Sequence, residues 1–204
     1  MVNLPADQST EQKILEAAKN VFISKGMAGA RMQDIANEAG INKALLHYYF
    51  RSKDKLFEVI FREAIQRLFP KVVGILASEA PLFDKIRLFC REYITMVMAN
   101  PYIPLFVVNE IHKQPGTFME AIWGDKRPPV ELLFDQVRRE AEAGIIKPVP
   151  PEQLVLNMLS LCVFPFIGKP LWQNISGTTD EQFMAMMEER KSLVPEFIIE
   201  SIRI

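Results

Sequence analysis

Apolar residues recur at three- and four-residue spacing along most of this chain, and no stretch alternates convincingly with period two. That regularity constrains the fold more than any other feature, because a half-buried strand needs period two and an amphipathic helix period 3.6. An all-α protein is expected. The first helix opens on Ser9-Thr10-Glu11-Gln12, a capping box, and carries Ile14, Leu15, Ala18, Val21 and Phe22 as one stripe until Lys25-Gly26 closes it. Met32, Ile35, Ala36 and Ala39 define a short second helix. Gly40 breaks it, Ile41 turns inward, and Asn42 can cap a third helix running to about Phe50, with Leu46 and Phe50 facing the core. Ser52 caps a fourth, expected over 53–69, with Asp54 in its first turn and Leu56, Val59, Ile60 and Ala64 on its buried side. Further helices are expected over 82–99, 101–113, 129–143, 152–168 and 179–203.

Proline and charge divide the chain. Of 14 prolines only Pro5 precedes Pro70, and residues 1–69 hold ten Lys/Arg against eight Asp/Glu, leaving 14 against 17 for the rest. The division expected is a small basic head over residues 8–53 and a larger acidic, proline-punctuated body over 54–204. At 49% hydrophobic and 24% charged residues the chain can bury a core. A net charge of −1 argues against a protein that coats nucleic acid non-specifically.

Catalysis finds little support. The nine glycines form neither Gly-x-Gly-x-x-Gly nor a phosphate-binding loop. The two histidines, His47 and His112, fall in different domains, which rules out a His-rich zinc cluster. Cys90 and Cys162 are too few for a disulfide scaffold and lie in apolar stretches. No enzyme activity, cofactor or metal is expected. No apolar run approaches the ~20 residues of a membrane span, and Met1–Pro5 shows neither a basic nor an apolar leader. A cytoplasmic protein without a membrane partner is the expectation.

Two short helices joined by a glycine-containing turn, the second polar and aromatic, describe a helix-turn-helix. The small residues Ala36 and Gly40 let the helices cross closely, so the third helix can stand clear and enter a major groove of double-stranded DNA. The candidate DNA-binding residues are Arg31 and Met32 at the start of the second helix, Asn42, Lys43, Ala44, Leu45, His47, Tyr48 and Tyr49 on the third, and Lys53 at the fourth. Lys43 can neutralise a phosphate, His47 and Tyr48 can reach phosphates or base edges, and the start of the fourth helix adds a backbone anion site beside Lys53.

The run from Met32-Gln33-Asp34-Ile35-Ala36 through Ala39-Gly40-Ile41 to Tyr49-Phe50-Arg51-Ser52-Lys53 resembles the tetracycline-repressor (TetR) family of bacterial regulators. The resemblance is specific over about residues 10–60 and rests beyond residue 70 on length and helical character. It implies a homodimer whose two heads read a palindromic operator, and a helical body whose small-molecule pocket takes an inducer that releases DNA. Three positions depart from the family pattern. Arg31 stands where a capping Thr or Ser is usual; it could reach a phosphate but cannot cap. Leu45 replaces a polar or small reading position and can meet a thymine methyl. His47 replaces a phosphate-binding Tyr; as a neutral imidazole it still donates one hydrogen bond, and gaining charge should raise DNA affinity as pH falls.

In the body, the segment 152–168 is apolar nearly all round and needs cover on two sides, one of which a second subunit can supply. With the last helix it would form one side of an intermolecular four-helix bundle. The candidate interface residues are Leu154, Met158, Leu161, Cys162, Phe183, Met187, Val194, Phe197 and Ile198. A pocket is expected among Phe89, Tyr93, Met96, Phe106, Phe118, Trp123 and Phe134, with Tyr93, Asn109, His112 and Gln136 as polar groups to orient a small hydrophobic or aromatic ligand. The function expected is a DNA-binding transcriptional regulator, a repressor released by such a ligand. The alternative is a hydrophobic-ligand carrier with a vestigial head.

Overall fold

Ser9 sets where the first helix begins, because its Oγ accepts the Gln12 N–H at 3.3 Å. Helix α1 then runs Thr10–Gly29. The structure is a computed structural model and describes residues 9–113 and 127–204. Gly26, at φ +67°, leaves helical geometry where the sequence places the end of α1, and one more turn follows before Ala30. Helices α2 (Met32–Glu38) and α3 (Lys43–Tyr49) come next. Between them Gly40 sits at φ +66°, with Ile41 N–H on the Ala36 carbonyl at 3.0 Å and Gly40 N–H on the Asn37 carbonyl at 3.1 Å. This is the paired-bond C-cap that a left-handed glycine makes possible. Asn42 Oδ1 accepts the Leu45 N–H at 2.8 Å and starts α3, and Ser52 Oγ accepts from Lys55 N–H at 3.2 Å to start α4.

Helix α4 runs Lys53–Ala77, past the end at 69 expected from the sequence, with Pro70 inside it. A proline removes one helical hydrogen bond and costs about 3 kcal/mol. The burial of Leu68 and Leu76 on either side of Pro70 works against that penalty. The chain divides into two compact units at Ala64/Ile65, within α4 and beyond the 53/54 boundary expected. The first turns of α4 belong to the first unit because Leu56, Phe57, Ile60 and Phe61 are buried there. They join Ile14, Val21 and Phe22 of α1, Ile35 and Ala36 of α2, and Leu46 of α3 in its core, where Phe22 and Phe57 meet edge-on at 5.2 Å.

The second unit adds α5 (Leu82–Ala99), α6 (Ile103–Lys113), α7 (Val130–Glu142), α8 (Pro151–Ile167), α9 (Lys169–Ser176) and α10 (Asp180–Ile202). Among the described residues there are ten helices and no strand. The expected segments match α5, α7, α8 and α10 closely, α6 starts two residues late, and α9 was not expected. Helix α5 buries Leu82, Ile86, Cys90, Ile94 and Val97 against α8 and α10, a spacing of four, four, four and three. An Arg87–Glu196 ion pair at 2.7 Å ties α5 to α10 at the surface. Lys85 is buried, and its ammonium donates to the Leu76 carbonyl at 3.1 Å, closing the end of α4; burial lowers its pKa. No single described helix is long and apolar enough to cross a membrane.

Candidate functional site

The recognition surface is built from what α3 does not bury. Leu46 is fully enclosed and Phe50 buried, so these two side chains fix the helix to its unit. Lys43, Ala44, Leu45, His47, Tyr48 and Tyr49 are all exposed, Tyr48 at 82%, and the two tyrosine rings meet edge-to-face at 5.6 Å. An apolar-and-aromatic surface held outward by two core anchors suits insertion into a groove. Lys43 makes no hydrogen bond or ion pair among the described residues. Three other lysines of this unit are occupied: Lys19 pairs with Glu63 at 3.1 Å, Lys25 with Asp34 at 3.0 Å, and Lys55 with Glu58 at 2.8 Å.

Four of the expected contact residues also serve the unit's own structure. Lys53 Nζ donates to the Met27 carbonyl at 2.6 Å and the Ala30 carbonyl at 3.1 Å. It thus satisfies carbonyls at the C-terminal end of α1, where a cation is favoured, and two of its three donors are spent inside the unit. Asn42 likewise commits its side-chain oxygen to the start of α3. Met32 is half-buried. At Arg31 the helix start is closed from the other direction, by the Asp34 carboxylate accepting the Arg31 N–H at 3.1 Å. An arginine side chain has no acceptor to offer the N-terminal amides, as expected. The Lys25 ammonium beside Asp34 holds its carboxyl below the usual carboxylate range.

His47 Nδ1 lies 3.3 Å from the Arg51 carbonyl oxygen. A carbonyl only accepts, so Nδ1 carries the proton and neutral Nε2 presents a lone pair outward. The neutral ring thus donates its one hydrogen bond to the Arg51 carbonyl within the unit. Arg51 was not among the residues selected from the sequence. It is exposed, and its guanidinium has no partner among the described residues.

The expected body sites are only partly assembled. Leu154, Met158, Cys162, Phe183, Met187, Val194 and Ile198, taken from the sequence as interface, are buried in this chain's own core, and Leu161 is half-buried. The packing of these helices turns those side chains into the chain's own core. Of that set only Phe197, at 69%, is exposed, and it lies with exposed Leu193 on α10. Leu156 and Phe164 are the large exposed side chains of α8, and Leu171, Trp172 and Ile175 those of α9. Among the pocket candidates, Phe89 is buried, and Tyr93, Met96, Phe106 and Phe134 are half-buried. Phe89 and Tyr93 stack at 5.5 Å, while Phe134 lies under the Arg138 guanidinium at 5.9 Å. Asn109 and His112 are exposed, with His112 Nδ1 2.7 Å from the Val108 carbonyl. Gln136 donates to the Ala80 carbonyl and to Glu140. Phe118 and Trp123 lie outside the described residues.

Comparison with known proteins agrees with this geometry. Residues 14–60 match the family model described as "Bacterial regulatory proteins, tetR family". The chain is 24% identical to the HTH-type transcriptional regulator RutR of Escherichia coli K12 over 200 residues, covering 97% of this chain and 92% of that protein. It is 40% identical over 165 residues, 78% of each chain, to a Bacillus subtilis protein named "Probable HTH-type transcriptional regulator YttP". The solved structure of the ketosteroid transcriptional regulator KstR2 of Mycobacterium tuberculosis superposes with a TM-score of 0.68 over all of this chain and 97% of that one, at 18% identity. With a helix-turn-helix whose caps and anchors are all in place, and 40% identity shared over most of both chains, this chain belongs to the tetR family of bacterial regulatory proteins and is a DNA-binding transcriptional regulator.

Proposed function

We propose that this regulator binds a palindromic operator as a homodimer, represses from it, and is released by a small hydrophobic ligand held in the second unit. The observation that carries the reading is α3, anchored by Leu46 and Phe50 and presenting Lys43 without an ion-pair partner among the described residues. Lys43 and Arg51 would neutralise phosphates, and Leu45 and Tyr48 would lie against base edges and sugars. One head covers half a site, so two heads are needed for useful affinity. The dimer would form through the exposed faces of α8 and α10, where Leu156, Phe164, Leu193 and Phe197 are large apolar side chains left in water. A ligand releases DNA only by binding the DNA-free arrangement better than the bound one.

Fluorescence anisotropy on the DNA upstream of the protein's own coding region, against a scrambled duplex at two salt concentrations, tests the reading. Tight binding to a near-palindrome, weakening steeply with salt, is expected, because each neutralised phosphate releases counterions. Equal weak binding to both duplexes, unchanged in Lys43→Ala, would favour a ligand carrier whose head no longer reads DNA.

A further inference from the structure

We propose that α9 is an interface helix: its Leu171, Trp172 and Ile175 pack on a second copy of this chain, beside the exposed faces of α8 and α10. The proposal rests on the homodimer reading given above and adds a third helix to its interface.

Helix α9 is turned the wrong way to cover its own core. It has eight residues, none of them buried. Lys169 and Gln173, one turn apart, fasten one flank to the start of α10. Lys169 Nζ lies 2.8 Å from Asp180 and 5.3 Å from the centre of the Phe183 ring, and Gln173 Nε2 donates to the same Asp180 carboxylate at 2.8 Å. Leu171 and Ile175, also one turn apart, and neighbouring Trp172 form the other flank, and they are 61%, 70% and 44% exposed. Polar contacts thus hold the helix in place while its apolar flank stays in water. A surface helix that stabilises its own domain does the reverse.

Two observations name the occupant. The first is continuity. Helix α8 bends by 67° into α9 at Gly168. The exposed Phe164 ring lies against that bend, where a Cβ on Gly168 would meet it at 3.3 Å. The apolar surface of α8 therefore runs on into α9. The second is area. A permanent homodimer buries at least about 1,000 Å² per partner, roughly 65% of it apolar. With about 150–250 Å² for each fully exposed large side chain, the exposed fractions of Leu156, Phe164, Leu193 and Phe197 supply only about 500 Å². Leu171, Trp172 and Ile175 raise that to about 850 Å², enough for such an interface. A second copy presents the same apolar face, as a two-fold contact requires.

Sedimentation over a concentration series, and 19F NMR of the full chain labelled with 5-fluorotryptophan, test this. Leu171→Ser with Ile175→Ser should weaken self-association at least tenfold. Helix content by circular dichroism should hold, since both side chains are exposed. The chain has two tryptophans, and the resonance missing from Trp172→Phe is that of Trp172. Its shift between light and heavy water should be small in the dimer and large in monomers, made by dilution or by Leu193→Glu with Phe197→Glu. Undiminished association of the Leu171→Ser, Ile175→Ser protein would overturn the proposal. So would a Trp172 resonance equally open to solvent, or equally shielded by the chain itself, in dimer and monomer. A wild-type chain that stays monomeric throughout would instead remove the homodimer reading, and the proposal with it.

Discussion

Lys53→Met separates a lysine that holds the head together from one that meets DNA. Methionine keeps the aliphatic stem and deletes only the ammonium, so the Met27 and Ala30 carbonyls lose donors now at 2.6 and 3.1 Å. Hydrogen bonds from a charged donor contribute roughly 1.5–3 kcal/mol each when well enclosed. This side chain is only part-buried and water can replace some of the loss, so about 2 kcal/mol for the pair is the reasonable total. In a unit of this size 1 kcal/mol moves the midpoint by about 4–8 °C, so the head should melt on the order of 10 °C lower. Lys43→Ala should do the reverse. Lys43 is exposed and holds nothing, so stability should stay within about 0.5 kcal/mol. Operator binding should lose about 0.9 of logarithmic salt slope per head, or roughly 1.8 per dimer. Circular dichroism melting and anisotropy over a salt series read both quantities. A Lys53→Met protein with an unchanged midpoint and a flattened salt slope would refute the reasoning, because it would place that ammonium on a phosphate.

Other consequences follow from the same geometry. Gly40→Ala meets nothing within 4 Å but must hold φ near +66°, so it should cost the head about 1–2 kcal/mol, and Gly40→Asn less; equal costs in urea unfolding would contradict a purely backbone origin. Asp34 has a folded pKa held below its unfolded value by Lys25, so its contribution is complete above the unfolded value and is lost as pH falls through the folded one. Asp34→Asn should accordingly flatten the acid side of the head's stability profile, and an unchanged profile would count against it. Leu193→Glu with Phe197→Glu should give folded monomers in sedimentation, with operator affinity lost; intact dimers would move the interface elsewhere.

The head was legible in the sequence because its decisive interactions span three to five residues. Ser9 to Gln12, Asn42 to Leu45, Ser52 to Lys55 and the Ala36–Ile41 turn around Gly40 are bonds between near neighbours, so residue type and spacing specify them before anything packs. The anchors Leu46 and Phe50 followed from the same local phase. Lys53 escaped that reading because its acceptors lie 23 and 26 residues away, at the end of another helix. Helices α8 and α10 escaped it for a different reason. Where apolar residues surround a helix, periodicity carries no phase, and the choice between Cys162 inward and Phe164 outward, or Ile198 inward and Phe197 outward, is made by how these helices pack with α5. The run of α4 through Pro70 has the same character, since a penalty fixed by one residue is outweighed by burial on both sides of it. Short-range bonds are written in the order of the chain, whereas long-range burial depends on which surfaces meet once it has folded.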